Sequence, residues 1–159
     1  MANPVKPIPE GYHTITPSLI CKNAAQAIDF YKRAFGAEER MRMTGPDGKI
    51  GHAEMKIGDS IFFVTDEFPQ MGSSAPSSMG AFYLFLYVQD ADAVFNRAVA
   101  AGAKVTMPLV DQFWGDRMGK VSDPYGYEWG IATHKEDVSP EEMDRRSKAF
   151  MQKMAAAQG

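Results

Sequence analysis

Residues 23–36 read NAAQAIDFYKRAFG, and residues 90–102 read DADAVFNRAVAAG. In the first stretch Ala24, Ala27, Ile28, Tyr31 and Phe35 recur at helical spacing behind Asn23, a good N-cap, and Gly36 stands where a helix-ending glycine belongs. In the second, Ala91, Val94, Phe95 and Ala98 form a similar stripe and Gly102 a similar stop, 66 residues after Gly36. The flanks match as well. Before the first helix, Thr14, Thr16 and Ser18 alternate with Ile15, Leu19 and Cys21 as in a half-buried strand; before the second, AFYLFLYV (81–88) is the counterpart. After the first come a strand over 37–44, the turn GPDG (45–48), a strand from Ile50 to Ile57, the tight Gly58-Asp59 connection and the strand SIFFVT. After the second come AKVTMPLV, RMGKVS, the turn DPYG and YEWGIAT. Thr65 and Thr133, ending the two last strands, are 68 residues apart. A repeated element order at a near-constant offset is a duplication. The sequence therefore predicts an α+β fold of two tandem βαβββ modules, 13–68 and 81–137, forming one domain over 13–137.

Between the modules lies a linker rich in Ser, Pro and Gly (69–80), and the first dozen residues, with Pro4, Pro7, Pro9 and Gly11, read as an extended arm. Ser139-Pro140-Glu141-Glu142 opens a C-terminal helix over 139–157 with a cap, a proline in the first turn and a capping-box glutamate. Met143, Ser147, Phe150 and Met154 fall on one side of it, to pack on its own domain or on a second subunit. The 159 residues are 45% hydrophobic and 23% charged. A chain this long buries about 68–70% of its unfolded surface without a disulfide, and the single cysteine, Cys21, permits none. The net charge of −3 disfavours nucleic acid as a partner. The opening residues lack the apolar run of a signal peptide and no stretch is long enough to span a membrane, so the expectation is a cytoplasmic protein with no membrane partner.

The strings AIDFYKRAFGAEE, GPDGKIGHAEMKIGDS, DQFWGDRMGKVSDPYGYEW and ATHKEDVSPEEM, set in a duplicated βαβββ frame, resemble the vicinal oxygen chelate superfamily of glyoxalase, bleomycin-resistance and dioxygenase proteins, and within it the PhnB-like branch. The resemblance covers roughly residues 13–145. It implies that each module curls its sheet into a half-open barrel, and that two modules enclose a cavity, often across a homodimer with exchanged modules. In metal-dependent members each module supplies one ligand from its first strand and one from its last. Those positions fall here on Thr16, Phe63, Tyr83 and Gly130. Phe63 and Gly130 have no donor atom, Thr16 is a poor ligand, and Tyr83 would have to ionise. The resemblance thus leads to a site without metal or other cofactor.

Other residues carry the remaining chemistry. His52 and Glu54, two apart on GHAEMKI, share one face of a strand, with Ala53, Met55 and Ile57 on the other. If the apolar face meets the helix, His52 and Glu54 face the concavity, where a histidine beside a carboxylate can act as an acid–base pair. Tyr83, Phe85 and Tyr87 alternate along AFYLFLYV, opposite Phe82, Leu84, Leu86 and Val88, and are expected to line the cavity. In FWGDR (113–117), Trp114 supplies a stacking surface and Arg117 a planar cationic fork for an aromatic or partly anionic ligand. Cys21 reads as a small buried hydrophobe, and His13 and His134 as solvated residues at strand ends. Two main functions stay open: a homodimeric binding protein for a small aromatic or amphipathic molecule, and a glyoxalase-type lyase or isomerase using His52 and Glu54 or an unusual metal site. A third reading is an interaction module with a vestigial cavity.

Overall fold

The computed structural model describes residues 5–159, so the Pro4 end of the expected arm lies outside the described residues. Module 1 comprises β1 (Ser18–Cys21), α1 (Ala24–Phe35), β2 (Glu38–Thr44), β3 (Ile50–Ile57) and β4 (Ser60–Asp66). Module 2 repeats the order with β5 (Leu84–Tyr87), α2 (Ala91–Ala101), β6 (Lys104–Asp111), β7 (Asp116–Ser122) and β8 (Glu128–His134). The sheets run β1-β4-β3-β2 and β5-β8-β7-β6, each with its first strand parallel to its last. The tandem α+β architecture is the one the repeat predicts.

Two strands are shorter than their sequence patterns. Pro17 has no N–H to donate, so the β1 ladder starts from its carbonyl, which accepts from the Phe63 amide at 2.8 Å. β5 begins only at Leu84, opposite Trp129, because the chain before β8 turns away in the 123–127 turn. The repeat is also one residue tighter than the threonines suggested. The helix-opening amide of Ala24 donates to Asp66 Oδ1 (2.8 Å), and that of Ala91 to Thr133 Oγ1 (2.8 Å). Asp66, not Thr65, is therefore the counterpart of Thr133.

Both helices are capped as the sequence requires: Asn23 accepts from Gln26, and Gly36 adopts a left-handed conformation with φ of 65°. Helix α1 buries more than the predicted stripe, because Phe30 and Ala34 are also covered. One side of α1 lies on its own sheet, and another faces module 2, where α2 packs beside it. At this junction Trp129 sits 4.6 Å from the Phe35 ring and 5.4 Å from Tyr31, and Phe30 meets Tyr125 at 5.9 Å between centroids.

A buried carboxylate organises the junction. Asp123 receives the Tyr31 hydroxyl (2.7 Å) and the Trp129 indole N–H (2.9 Å) on one oxygen. Its other oxygen takes the backbone amides of Tyr125 (2.8 Å) and Tyr127 (3.0 Å). The DPYG segment is thus more than a turn. The Tyr127 hydroxyl then reaches β1, accepting from the Ile20 amide at 2.9 Å and donating to the Ile20 carbonyl at 2.8 Å. Burial and Asp123 together hold the Tyr31 phenol well above its ordinary value. Cys21, fully covered, has its thiol pushed up to about 12, which suits a packing residue rather than a nucleophile.

The last helix, α3 (Pro140–Ala156), is capped by Ser139, whose hydroxyl accepts from the Glu142 amide. It buries no residue and is held around its middle: Arg146 pairs with Glu136 and reaches the Phe113 carbonyl, and Phe150 lies 5.0 Å from Phe113.

Replacing Asp123 by Ala leaves four donors, three of them buried, without an acceptor, so Asp123→Ala should cost about 3–5 kcal/mol of stability in urea unfolding. A loss below about 1 kcal/mol would show that the carboxylate does not organise the junction.

Candidate functional site

Strand alternation decides what each open face carries. On β3, Ala53 and Met55 are fully buried toward α1, leaving His52 and Glu54 half-buried on the opposite side. There His52 lies edge-on to Phe63 (4.7 Å), and its Nε2 is 3.9 Å from Glu54 Oε1. Glu54 is also 3.8 Å from Arg40, and its carboxylate beside Tyr12 raises that phenol above its ordinary 10.0. The expected acid–base pair therefore shares a face, at a separation too long for a direct hydrogen bond.

On β5, Leu84 and Leu86 pack into the core, while Phe85, Tyr87 and, just before the strand, Tyr83 stand on the open face, 37%, 66% and 41% exposed. Phe85 is 6.2 Å from Tyr83 and 4.9 Å from Tyr87, a continuous aromatic strip. It runs over Gly130, where a Cβ would meet Phe85 at 3.0 Å and Met118 and Tyr83 at 3.2 Å. Glycine at that position makes room for the rings. The Lys120 ammonium stands 3.9 Å above the Tyr83 ring and 3.2 Å from Glu128.

These facts bear on metal. Of the four positions the resemblance marks, Phe63 and Gly130 offer no donor and Tyr83 lies under a cation, so a divalent ion does not fit there. Among the described residues, no three His, Cys, Asp or Glu side chains gather to hold one elsewhere.

Trp114 and Arg117 are turned to opposite faces of β7, which corrects the expectation that they serve one ligand. Arg117 points toward α2, where it grips Asp92 through Nε (2.7 Å) and Nη2 (2.9 Å) and Asp111 through Nη1 (3.2 Å). Its fork is already engaged. Nor does Asp116 pair with Arg117: it is 3% exposed and turned to the open face. Its Oδ2 accepts from the Tyr87 hydroxyl and the Trp114 indole, both at 3.0 Å, and its Oδ1 contacts His134 Nδ1 at 2.8 Å. Burial alone would raise this carboxyl, but the three partners outweigh it and hold Asp116 below the usual carboxylate range. The second histidine nitrogen, Nε2, lies 2.8 Å from Asp137.

His134 is thus no idle residue at a strand end. A protonated ring satisfies both carboxylates as a double donor, and Asp137 and Asp116 hold its pKa above the ordinary 6.5. Around it, Phe85, Tyr87, Gln89, Thr133 and the Gly58-Asp59 turn line a cleft of about 760 Å³ along the outer edge of β5. A second crevice, about 340 Å³ and mainly apolar, lies between the modules with His13 on its rim. The sequence reading missed the Asp116–His134 pair, although the hairpin register carries it: nine residues on either side of Tyr125, the two face each other across β7 and β8.

Residues 12–131 match the Glyoxalase/Bleomycin resistance protein/Dioxygenase superfamily, and the chain belongs to that family. It is 42% identical to the protein Mb0911c of Mycobacterium bovis over 134 residues, covering 81% of this chain and 88% of that protein. It is 33% identical over 129 residues to an Arabidopsis thaliana protein, covering 76% and 77%. Among solved structures it resembles protein PA1353 of Pseudomonas aeruginosa, with 25% identity, a TM-score of 0.65 and coverage of 78% and 99%. TioX of Micromonospora is similar, at 27% identity, a TM-score of 0.62 and coverage of 77% and 98%. No helix among the described residues is long and apolar enough to cross a membrane.

The His134 imidazole should titrate with a midpoint above 6.5 by NMR. With the folded pKa raised, its contribution to stability is complete below the unfolded value and fades as pH climbs through the folded one. The stability difference between the parent and His134→Gln should therefore be largest in acid and shrink toward alkaline pH; a midpoint at or below 6.5 would contradict the double pairing.

Proposed function

We propose that the protein binds a small aromatic or amphipathic molecule against the open face of module 2, without a metal, as a homodimer of the PhnB-like kind in the cytoplasm. The observation that carries this is the strip Tyr83–Phe85–Tyr87: three rings in a row along β5 and the residue before it, with the glycine beneath them making room. Aromatic side chains are costly to leave in water and provide rigid stacking surface at low entropic cost. Trp114, tied to the same buried carboxylate as Tyr87, borders the strip.

The placing of the open faces supports the dimer. His52 and Glu54 make their close contacts within module 1, and the strip makes its own within module 2. Met41 and Met43, paired across from Glu54 and His52, are also exposed. A second copy laying its module 1 over this module 2 encloses a cavity with the strip on one wall and His52 and Glu54 on the other. A lyase or isomerase reading is supported by the His52–Glu54 proximity alone, and their 3.9 Å separation gives it less weight.

In sedimentation the protein should run at twice 17.5 kDa at micromolar concentration. Phe85→Ala should weaken binding of a neutral probe, naphthalene-2-carboxamide, by about fivefold or more, as for a central aromatic contact. Equal binding by Phe85→Ala, Tyr87→Ala and the parent would defeat the proposal.

A further inference from the structure

We propose that His134, held by Asp116, is the head-group site of the cleft along the outer edge of β5, and that it takes the carboxylate of an aromatic acid in place of Asp137. This rests on the reading of the aromatic strip as the ligand surface, and it names the class of ligand.

The geometry resembles a site already filled by a stand-in. Asp116 is buried and fixed by three partners, so it sets the orientation of the His134 ring through Nδ1 at 2.8 Å. That leaves Nε2 directed outward, 2.8 Å from one carboxylate oxygen. The carboxylate belongs to Asp137, whose side chain is fully exposed and makes no other hydrogen bond or ion pair among the described residues. An exposed pair of this kind is weak and exchangeable. Tyr87 connects the two halves of the site, its ring at 4.9 Å from Phe85 and its hydroxyl on Asp116. A planar acid with its ring along Phe85 and Tyr87 thus meets a charged donor at the end of the strip, within the same cleft.

The charge balance admits a monoanion, although Asp59 also lines the cleft. Asp116, His134 and Asp137 carry together one net negative charge when the ring is protonated, and exchanging Asp137 for a ligand carboxylate leaves that balance unchanged. The neighbouring Glu136 does not compete, because both its oxygens are engaged by Arg146 at 2.8 Å. Of the nearest cations, Arg117 is committed to Asp92 and Asp111 on the other face. Lys135 is the one remaining positive neighbour along the chain. One imidazolium with a single outward N–H suits a carboxylate; a phosphate dianion demands more donors than the cleft presents.

Asp137 is then an internal competitor, which gives a test of opposite sign to an ordinary loss of function. Naphthalene-2-carboxylate and naphthalene-2-carboxamide are titrated calorimetrically, at a pH just below 6.5, into the full-length parent, Asp137→Asn and His134→Gln. The parent should prefer the carboxylate by about tenfold, since its hydrogen bond is charge-assisted. Asp137→Asn should bind the carboxylate about two- to fivefold more tightly and the amide unchanged. His134→Gln should stay folded at that pH, although it melts below the parent, and should bind both probes alike. In the parent, the carboxylate should shift the His134 Nε2 and Trp114 indole resonances. Equal binding of both probes by the parent, with no effect of Asp137→Asn, overturns the head-group assignment while the strip stands as a ligand surface. Failure of both probes to bind at millimolar concentration overturns both readings; binding of the amide alone overturns only the head-group assignment.

Discussion

The arrangement of this molecule depends on one buried carboxylate. Asp123 binds the Tyr31 hydroxyl from module 1 and the Trp129 indole from module 2, and with its other oxygen it fixes the turn that carries Tyr127. Tyr127 in turn saturates the outward-facing backbone of Ile20 on the edge of β1. A side chain thereby does what a further strand would otherwise do. With α1 and α2 drawn together around Phe35 and Trp129, the helix-bearing faces of both sheets are committed to the interior. The other two faces are left for function.

The modules are repeats, but they are not equivalent. Module 2 extends its β7–β8 turn to bridge to β1; module 1 has only the short Gly58-Asp59 turn, and among the described residues no such bridge reaches β5. The edge of β5 consequently opens onto a cleft, with the aromatic strip beside it. The same divergence appears in the polar groups. Asp66 caps α1 in module 1, its counterpart Thr133 caps α2, and the residue after Thr133 is His134, directed at Asp116. The duplication supplied the frame, and unequal turns and strand ends supplied a candidate site on one half.

Much of the frame was legible because it is local. Helical stripes, capping residues and turn glycines announce themselves within a dozen positions, and the offset between repeats did the rest. The facing of His52, Glu54 and the Tyr83–Tyr87 row followed from the two-residue period of a strand. What escaped was set by partners distant in sequence. Arg117 read as a free fork until α2 placed Asp92 against it, 25 residues away. Asp123 read as a turn residue because Tyr31, 92 residues earlier, gives no local sign of its role. Asp116 and His134 required the hairpin register, which follows from the turn centre but becomes useful only when both strands are aligned residue by residue.

The central claim is that the two open faces of one chain do not cover each other, and that the strip of one copy is covered by module 1 of its dimer partner. An isotope-filtered NOE experiment on an equimolar mixture tests this directly, with one population labelled only at methionine methyls and the other only at aromatic rings. The account predicts intermolecular cross-peaks from Met41 and Met43 to the rings of Tyr83, Phe85 and Tyr87. Cross-peaks between these groups seen only within a single chain, or none at all in the mixture, would contradict it.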